Sequence, residues 1–244
     1  MTRYCSAWWA QPVAEPDTLL DVLDEQERSR YDAYQNDGDR ARFATARLVA
    51  KSAVAELTGQ QPADIRFTTR CAGCGGPHGR PTLGAGYPPL ELSLAHSGDR
   101  IVVAIMNGFR IGVDVERVDY AAEVDQLTWQ EFDKIERSMW LELPEPDRVE
   151  GYFRVWTRKQ SLIKAVDRAL DFEMREVMVA AADDEPGVLQ IPVPGLDTHG
   201  VAMYDLDTSA GYVASLSIIT SGDVVVTERT WEPTAPSRTR FRVI

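Results

Sequence analysis

The chain reads as an α+β fold made of two similar α/β subdomains, and two observations predict it. In each half a long helix leads to a short strand and then to a β-hairpin. The two helices also carry an aromatic residue and a lysine at one separation, Phe43 with Lys51 and Trp156 with Lys164. Repetition of one supersecondary unit predicts two copies related by pseudo-twofold symmetry, with a ligand cleft where they meet. The expected division is 1–108, 109–226 with a metal site, and 227–244 as a C-terminal extension.

Taken in order, residues 37–57 have helical apolar spacing and Gly59 stands where a left-handed C-cap belongs. I-R-F-T-T at 65–69 follows as a strand, and L-S-L-A and I-V-V-A-I flank a turn at 97–99. In 111–118, Ile111, Val113 and Val115 alternate with Gly112, Asp114 and Glu116, the period of a strand with one buried face. Residues 123–140 form an amphipathic helix that packs near the site or faces a partner. The helix 146–170 follows, its inward stripe made by Val149, Phe153, Trp156, Ile163 and Leu170. V-M-V-A at 177–180 and two strands about a turn at 208–211 complete the second unit. The tail 227–244, with its prolines and late arginines, reads as a loosely held extension without a nucleic-acid role.

Asp114 and Glu116 point the same way, with α-carbons about 6.5 to 7 Å apart, so their carboxylates either share a hard cation or form the solvated face of an edge strand. Gln160 falls on the apolar stripe of the second helix, and Lys164 follows one turn later, presenting an amide and an ammonium side by side. Taken singly, these are a hydrogen-bonded core glutamine and a snorkelling lysine; taken with the carboxylates they suggest a metal and phosphate site.

G-V-D-V-E followed some forty residues later by W-T-R-K-Q-S-L-I-K-A resembles the paired signature of the 4′-phosphopantetheinyl transferases of the surfactin-synthetase type. R-F-A-T-A-R-L-V-A-K at 42–51, G-R-P at 79–81 and L-S-L-A-H-S-G-D at 92–99 fit the same family in the same order, and the likeness spans roughly 19–219. The resemblance implies the family's fold, with coenzyme A as substrate between the halves. It implies transfer of the phosphopantetheine arm to a serine of an apo acyl, peptidyl or aryl carrier protein, with release of adenosine 3′,5′-bisphosphate. It further implies Mg2+ on Asp114, Glu116 and Gln160, with Lys164 on the phosphates being separated. Arg42, Arg80, Pro81 and His96 match positions that hold the adenosine and its phosphates. Polyketide or nonribosomal peptide biosynthesis is the implied setting, and a monomer with an internal pseudo-dimer the implied assembly.

Where the family pattern has glutamate, this chain has Gln160. An amide oxygen can bind magnesium but cannot take a serine proton. With Asp114 and Glu116 ionised the ligands sum to −2 instead of −3, so pyrophosphate matters more for holding the ion. Slowed turnover is one expectation, and a non-catalytic coenzyme A or carrier-binding relative the other. A second departure is Ala95, where serine is common in the family.

The formal charge of −12 argues against a nucleic-acid binder and also sits poorly with acidic carrier proteins, so docking needs a local basic or apolar patch, to which Arg28 and Arg30 are candidates. No stretch approaches the roughly 18 apolar residues of a membrane span, and the start lacks a secretory pattern; a cytoplasmic protein is expected. Three cysteines argue against a disulfide framework. Cys71, Cys74 and His78 form C-x-x-C-x-x-x-H, which is either a zinc site completed by Cys5 or a distant carboxylate, or a loop with reduced thiols.

Overall fold

Among the described residues, two large hydrophobic clusters each join one long helix to a sheet, and a smaller one gathers Leu19, Leu23, Tyr31, Phe43 and Ala44. A computed structural model describes residues 2–69, 75–76, 79–166 and 172–233 with side chains, and the backbone of 238–240. The elements run β1 (Arg3–Ala10), α1 (Glu25–Ala33), α2 (Asp37–Thr58), β2 (Phe67–Thr68), β3 (Thr82–Leu83), β4 (Leu90–Ser97), β5 (Arg100–Asn107) and β6 (Ile111–Arg117). They continue through α3 (Val124–Glu131), α4 (Lys134–Glu142), α5 (Arg148–Val166), β7 (Met178–Val179), β8 (Val188–Gln190), β9 (Val201–Asp205), β10 (Tyr212–Ile219), β11 (Val224–Thr230) and β12 (Arg238–Arg240).

The chain divides into two compact units, Met1–Phe109 with Val224–Ile244, and Arg110–Asp223. In the first, the sheet order is β12-β11-β1-β5-β4, with β1 parallel to β11 and antiparallel to β5. Val49, Ala50, Ala53 and Val54 of α2 pack against Trp8, Leu92, Ile101 and Val103 of the sheet. The Asn36 side chain caps the start of α2, and Gly59 at φ 74° ends it. The extension expected from residue 227 is not loose at its start: Thr227–Thr230 pair with Ser6–Trp9, and Trp9 Nε1 donates to Glu228 at 2.7 Å. Alternation in V-V-V-T-E-R-T carries the strand, whereas the prolines beyond it dominate a composition-based reading.

In the second unit β6, β10 and β9 form an antiparallel sheet in the order β6-β10-β9, and α5 lies across β6 and β10. The single helix expected over 123–140 is two helices. Asp133 caps α4 through a reciprocal box with Glu136, and this local cap overrides the apolar periodicity that runs across the break.

The inward face of α5 also differs from expectation. Val149, Phe153, Trp156 and Ile163 are only partly buried, at the flank of the core. The deeply buried face carries Thr157, Arg158, Lys159, Ser161, Leu162 and Ala165. Small and hydroxylic side chains let the helix approach the sheet, and the buried charges find fixed partners. Lys159 Nζ donates to the Glu131 carbonyl at 2.7 Å and to the Glu136 carboxylate. Glu136 also accepts the Val179 N–H at 3.0 Å.

The first unit repeats this device. Lys51 Nζ of α2 donates at 2.6 Å to both the Val22 carbonyl and Glu27 Oε2, and Glu27 closes a capping box with Asp24. The counterpart of Lys51 is therefore Lys159, not Lys164, and the pairing of Phe43 and Lys51 with Trp156 and Lys164 read from spacing is out of register. Each long helix is tied by a buried lysine to a glutamate in a helix cap.

Candidate functional site

The site in the second unit begins with a glycine. A Cβ on Gly112 would lie 2.0 Å from the Ser161 carbonyl oxygen and 2.3 Å from the Ala165 nitrogen, so only glycine lets α5 rest on β6. Ser217, the cross-strand partner of Gly112, meets Ser161 hydroxyl to hydroxyl at 2.8 Å. Ser215, the partner of Asp114, meets Thr157 at 3.2 Å and donates to Asp205 Oδ1 at 3.0 Å. Arg158 grips the same Asp205 with Nε at 3.1 Å and Nη2 at 2.6 Å, and also donates to the Ala180 and Asp184 carbonyls. These contacts fix the helix in rotation and height. Ser215, Ser217, Asp205 and Arg158 are not among the residues expected from the sequence to build the site; alternate serines in an otherwise apolar stretch of β10 are the signal that marks the first two.

With the helix so placed, Lys164 Nζ donates to Asp114 Oδ1 at 2.6 Å and to the Val113 carbonyl at 3.1 Å. Asp114 is 6% exposed, so of the two alternatives the solvated face does not hold at this position. Burial pushes the Asp114 carboxyl above the usual carboxylate range, against the opposing pull of Lys164. Asp114 Oδ2 is buried without a hydrogen-bond partner. Glu116, two residues on along the same strand face, is half-buried and lies within electrostatic reach of Tyr152, whose phenol is held neutral by burial and by the charges of Glu131 and Glu116. Gln160, one turn before Lys164, is half-buried. Among the described residues no three or more His, Cys, Asp or Glu side chains cluster as a metal site. The oxygen donors of Asp114, Glu116 and Gln160 fit a hard divalent cation, and the orphaned Asp114 Oδ2 is an oxygen that such an ion would satisfy.

In the first unit the expected cationic residues lie along β4, the edge strand of its sheet. Arg80 Nε donates to the Leu92 carbonyl at 2.6 Å, and its guanidinium pairs with Glu91 at 3.3 Å. Arg42 Nη1 donates to the Gly98 carbonyl at 3.2 Å and Nη2 to Asp39 Oδ1 at 2.5 Å. The Arg42 and Asn36 hydrogen bonds hold the Asp39 carboxyl below its usual range, with His96 adding its charge. His96 is exposed, whereas Ala95 beside it is buried on the other face of the strand. Pro81 lines a groove of about 290 Å3 with Leu83, Tyr87 and Leu92. Cys71, Cys74 and His78 lie outside the described residues. Cys5 is a buried free thiol of β1, pushed up to about 12 by burial. No helix among the described residues is long and apolar enough to cross a membrane.

The fold and site define an α+β protein in which a lysine of α5 pairs with a buried carboxylate of β6. Residues 110–214 match the family model of the 4′-phosphopantetheinyl transferase superfamily. It is 24% identical over 188 residues to the 4′-phosphopantetheinyl transferase HetI of Nostoc sp., covering 75% of this chain and 76% of that one. It is 25% identical over 194 residues to a 4′-phosphopantetheinyl transferase of Bacillus subtilis, covering 79% and 81%. A solved holo-[acyl-carrier-protein] synthase from Thermotoga maritima aligns at TM-score 0.40 and 14% identity, over 47% of this chain and 65% of that one.

Proposed function

We propose that this protein transfers the 4′-phosphopantetheine arm of coenzyme A to a serine hydroxyl of an apo acyl, peptidyl or aryl carrier protein. In that reaction a bond forms from the serine oxygen to the β-phosphorus, and the bond to the departing adenosine 3′,5′-bisphosphate breaks. The observation that carries the reading is the convergence of Lys164 and the orphaned oxygen of Asp114 under α5, beside Glu116. Asp114 Oδ2, Glu116 and the Gln160 carbonyl would hold Mg2+, which when bound neutralises charge on the phosphoryl oxygens. Lys164 offers a cation to the phosphates being separated.

Gln160 leaves the serine proton without the carboxylate base of the family pattern, so transfer to water or to a carrier-protein group sets a slow rate. A second reading, a relative that binds coenzyme A or carrier protein without transfer, is favoured by that one residue. Work as a monomer in the cytoplasm, serving polyketide or nonribosomal peptide assembly, belongs to the same proposal. Incubation with Mg2+, coenzyme A and an apo carrier protein, followed by intact-mass spectrometry, tests it. One added phosphopantetheine arm on the carrier supports transfer; bound coenzyme A with unmodified carrier supports the second reading.

A further inference from the structure

The Lys164 ammonium stands 2.6 Å from Asp114 Oδ1, in the position a cation would take on that oxygen. Its side chain is 34% exposed against 8% for Asp114, so the lysine is the more open member of the pair. A second hold on the Val113 carbonyl at 3.1 Å keeps it there. With Gln160 neutral, Asp114, Glu116 and Lys164 sum to −1, which is little attraction for a strongly hydrated divalent ion. A free ion reaching Asp114 Oδ2 would also sit within a few ångströms of the ammonium and be repelled by it. A metal chelated to a diphosphate differs on both counts: it brings its own negative charge, and its phosphoryl oxygens give the ammonium somewhere else to go.

We propose that the site takes its divalent cation as the metal–diphosphate chelate and not as the free ion, with Lys164 as the resident counter-ion of Asp114 until the diphosphate draws it away. This rests on the function proposed above and adds the form in which the substrate binds. Lys164 then has two successive acceptors, Asp114 in the resting protein and a phosphoryl oxygen in the complex. The flexible four-carbon stem makes the exchange possible without moving α5.

Retention of Mn2+ tests this, read from the electron-paramagnetic-resonance signal of the free ion, for the parent, Lys164→Met and Lys164→Arg, each with and without coenzyme A. The proposal expects weak retention by the parent alone and at least about tenfold tighter retention with coenzyme A. It expects Lys164→Met alone to bind Mn2+ at least about tenfold more tightly than the parent, because the competing charge is gone, and Lys164→Arg alone to stay weak. Equal affinity of the parent with and without coenzyme A overturns it, and so does a Lys164→Met protein no tighter than the parent. If coenzyme A binds but no variant retains Mn2+ in its presence, the metal site of the proposed function fails and this proposal falls with it. Tight retention only in the chelate, with the expected response of the Met variant, upholds both.

Discussion

Gly112 and Ser161 are in backbone contact: a Cβ on the strand residue would lie 2.0 Å from the helix carbonyl oxygen. That approach brings Lys164 within 2.6 Å of Asp114, two residues along the same strand. Overpacking costs typically about 1 to 3 kcal/mol when side chains can yield. Here the obstacle is backbone, so Gly112→Ala is expected to cost about 3 kcal/mol or more, read as a lower midpoint in urea unfolding. Mn2+ retention in the presence of coenzyme A should fall with it, since the helix must lift away from Asp114.

Lys159 and Glu136 are both buried, as are Lys51 and Glu27 in the other unit. Removing one member of a buried pair leaves an uncompensated charge, at about 3 to 5 kcal/mol. Lys159→Met and Lys51→Met should each lose stability on that scale by denaturant unfolding. Adding Glu136→Gln to Lys159→Met should restore part of the loss, because the amide oxygen still accepts from Val179 while the stranded charge is removed. Lys159 thus ties α5 to the α3–α4 corner, whereas Lys164 is the lysine of the motif that faces the site.

Gln160→Glu returns a carboxylate to the position where the family pattern has one. General-base catalysis contributes about 10²- to 10⁴-fold. Turnover of carrier protein by the variant is expected to rise by at least about tenfold, measured by the rate of holo-carrier formation. An already fast parent with no gain in the variant would refute the idea that a base is missing.

The Tyr31 phenol is pushed up to about 12 by burial and by its 2.6 Å hydrogen bond to Asp17. Its folded value lies above the ordinary tyrosine value of about 10. The stability it contributes is therefore complete below pH 10 and is lost as pH rises from about 10 to about 12. Phenolate absorbance should show late titration from Tyr31 and, later still, from Tyr152; the Tyr31 component should disappear in Tyr31→Phe, and the variant's unfolding free energy should vary less with pH across that window.

Much of the site was readable from local pattern. Alternation placed Asp114 and Glu116 on one face of a strand, and helical spacing placed Gln160 one turn before Lys164. What escaped was non-local. Apolar periodicity assigned the inward face of α5 to Phe153 and Trp156, because it counts hydrophobes and cannot see that Arg158 meets Asp205 47 residues away or that Lys159 meets Glu136 23 residues away. The same blindness hid the pairing of β11 with β1. The break between α3 and α4 was present in the D-x-x-E cap at Asp133, a short-range signal masked by the longer apolar pattern.

An anomalous difference map from crystals grown with Mn2+ and coenzyme A tests the central claim most directly. The account predicts a peak bound by Asp114 and Glu116, with diphosphate oxygens completing its shell and Lys164 turned from Asp114 toward a phosphoryl oxygen. Bound coenzyme A whose diphosphate lies away from these residues, or a metal peak elsewhere with Lys164 still on Asp114, would contradict it.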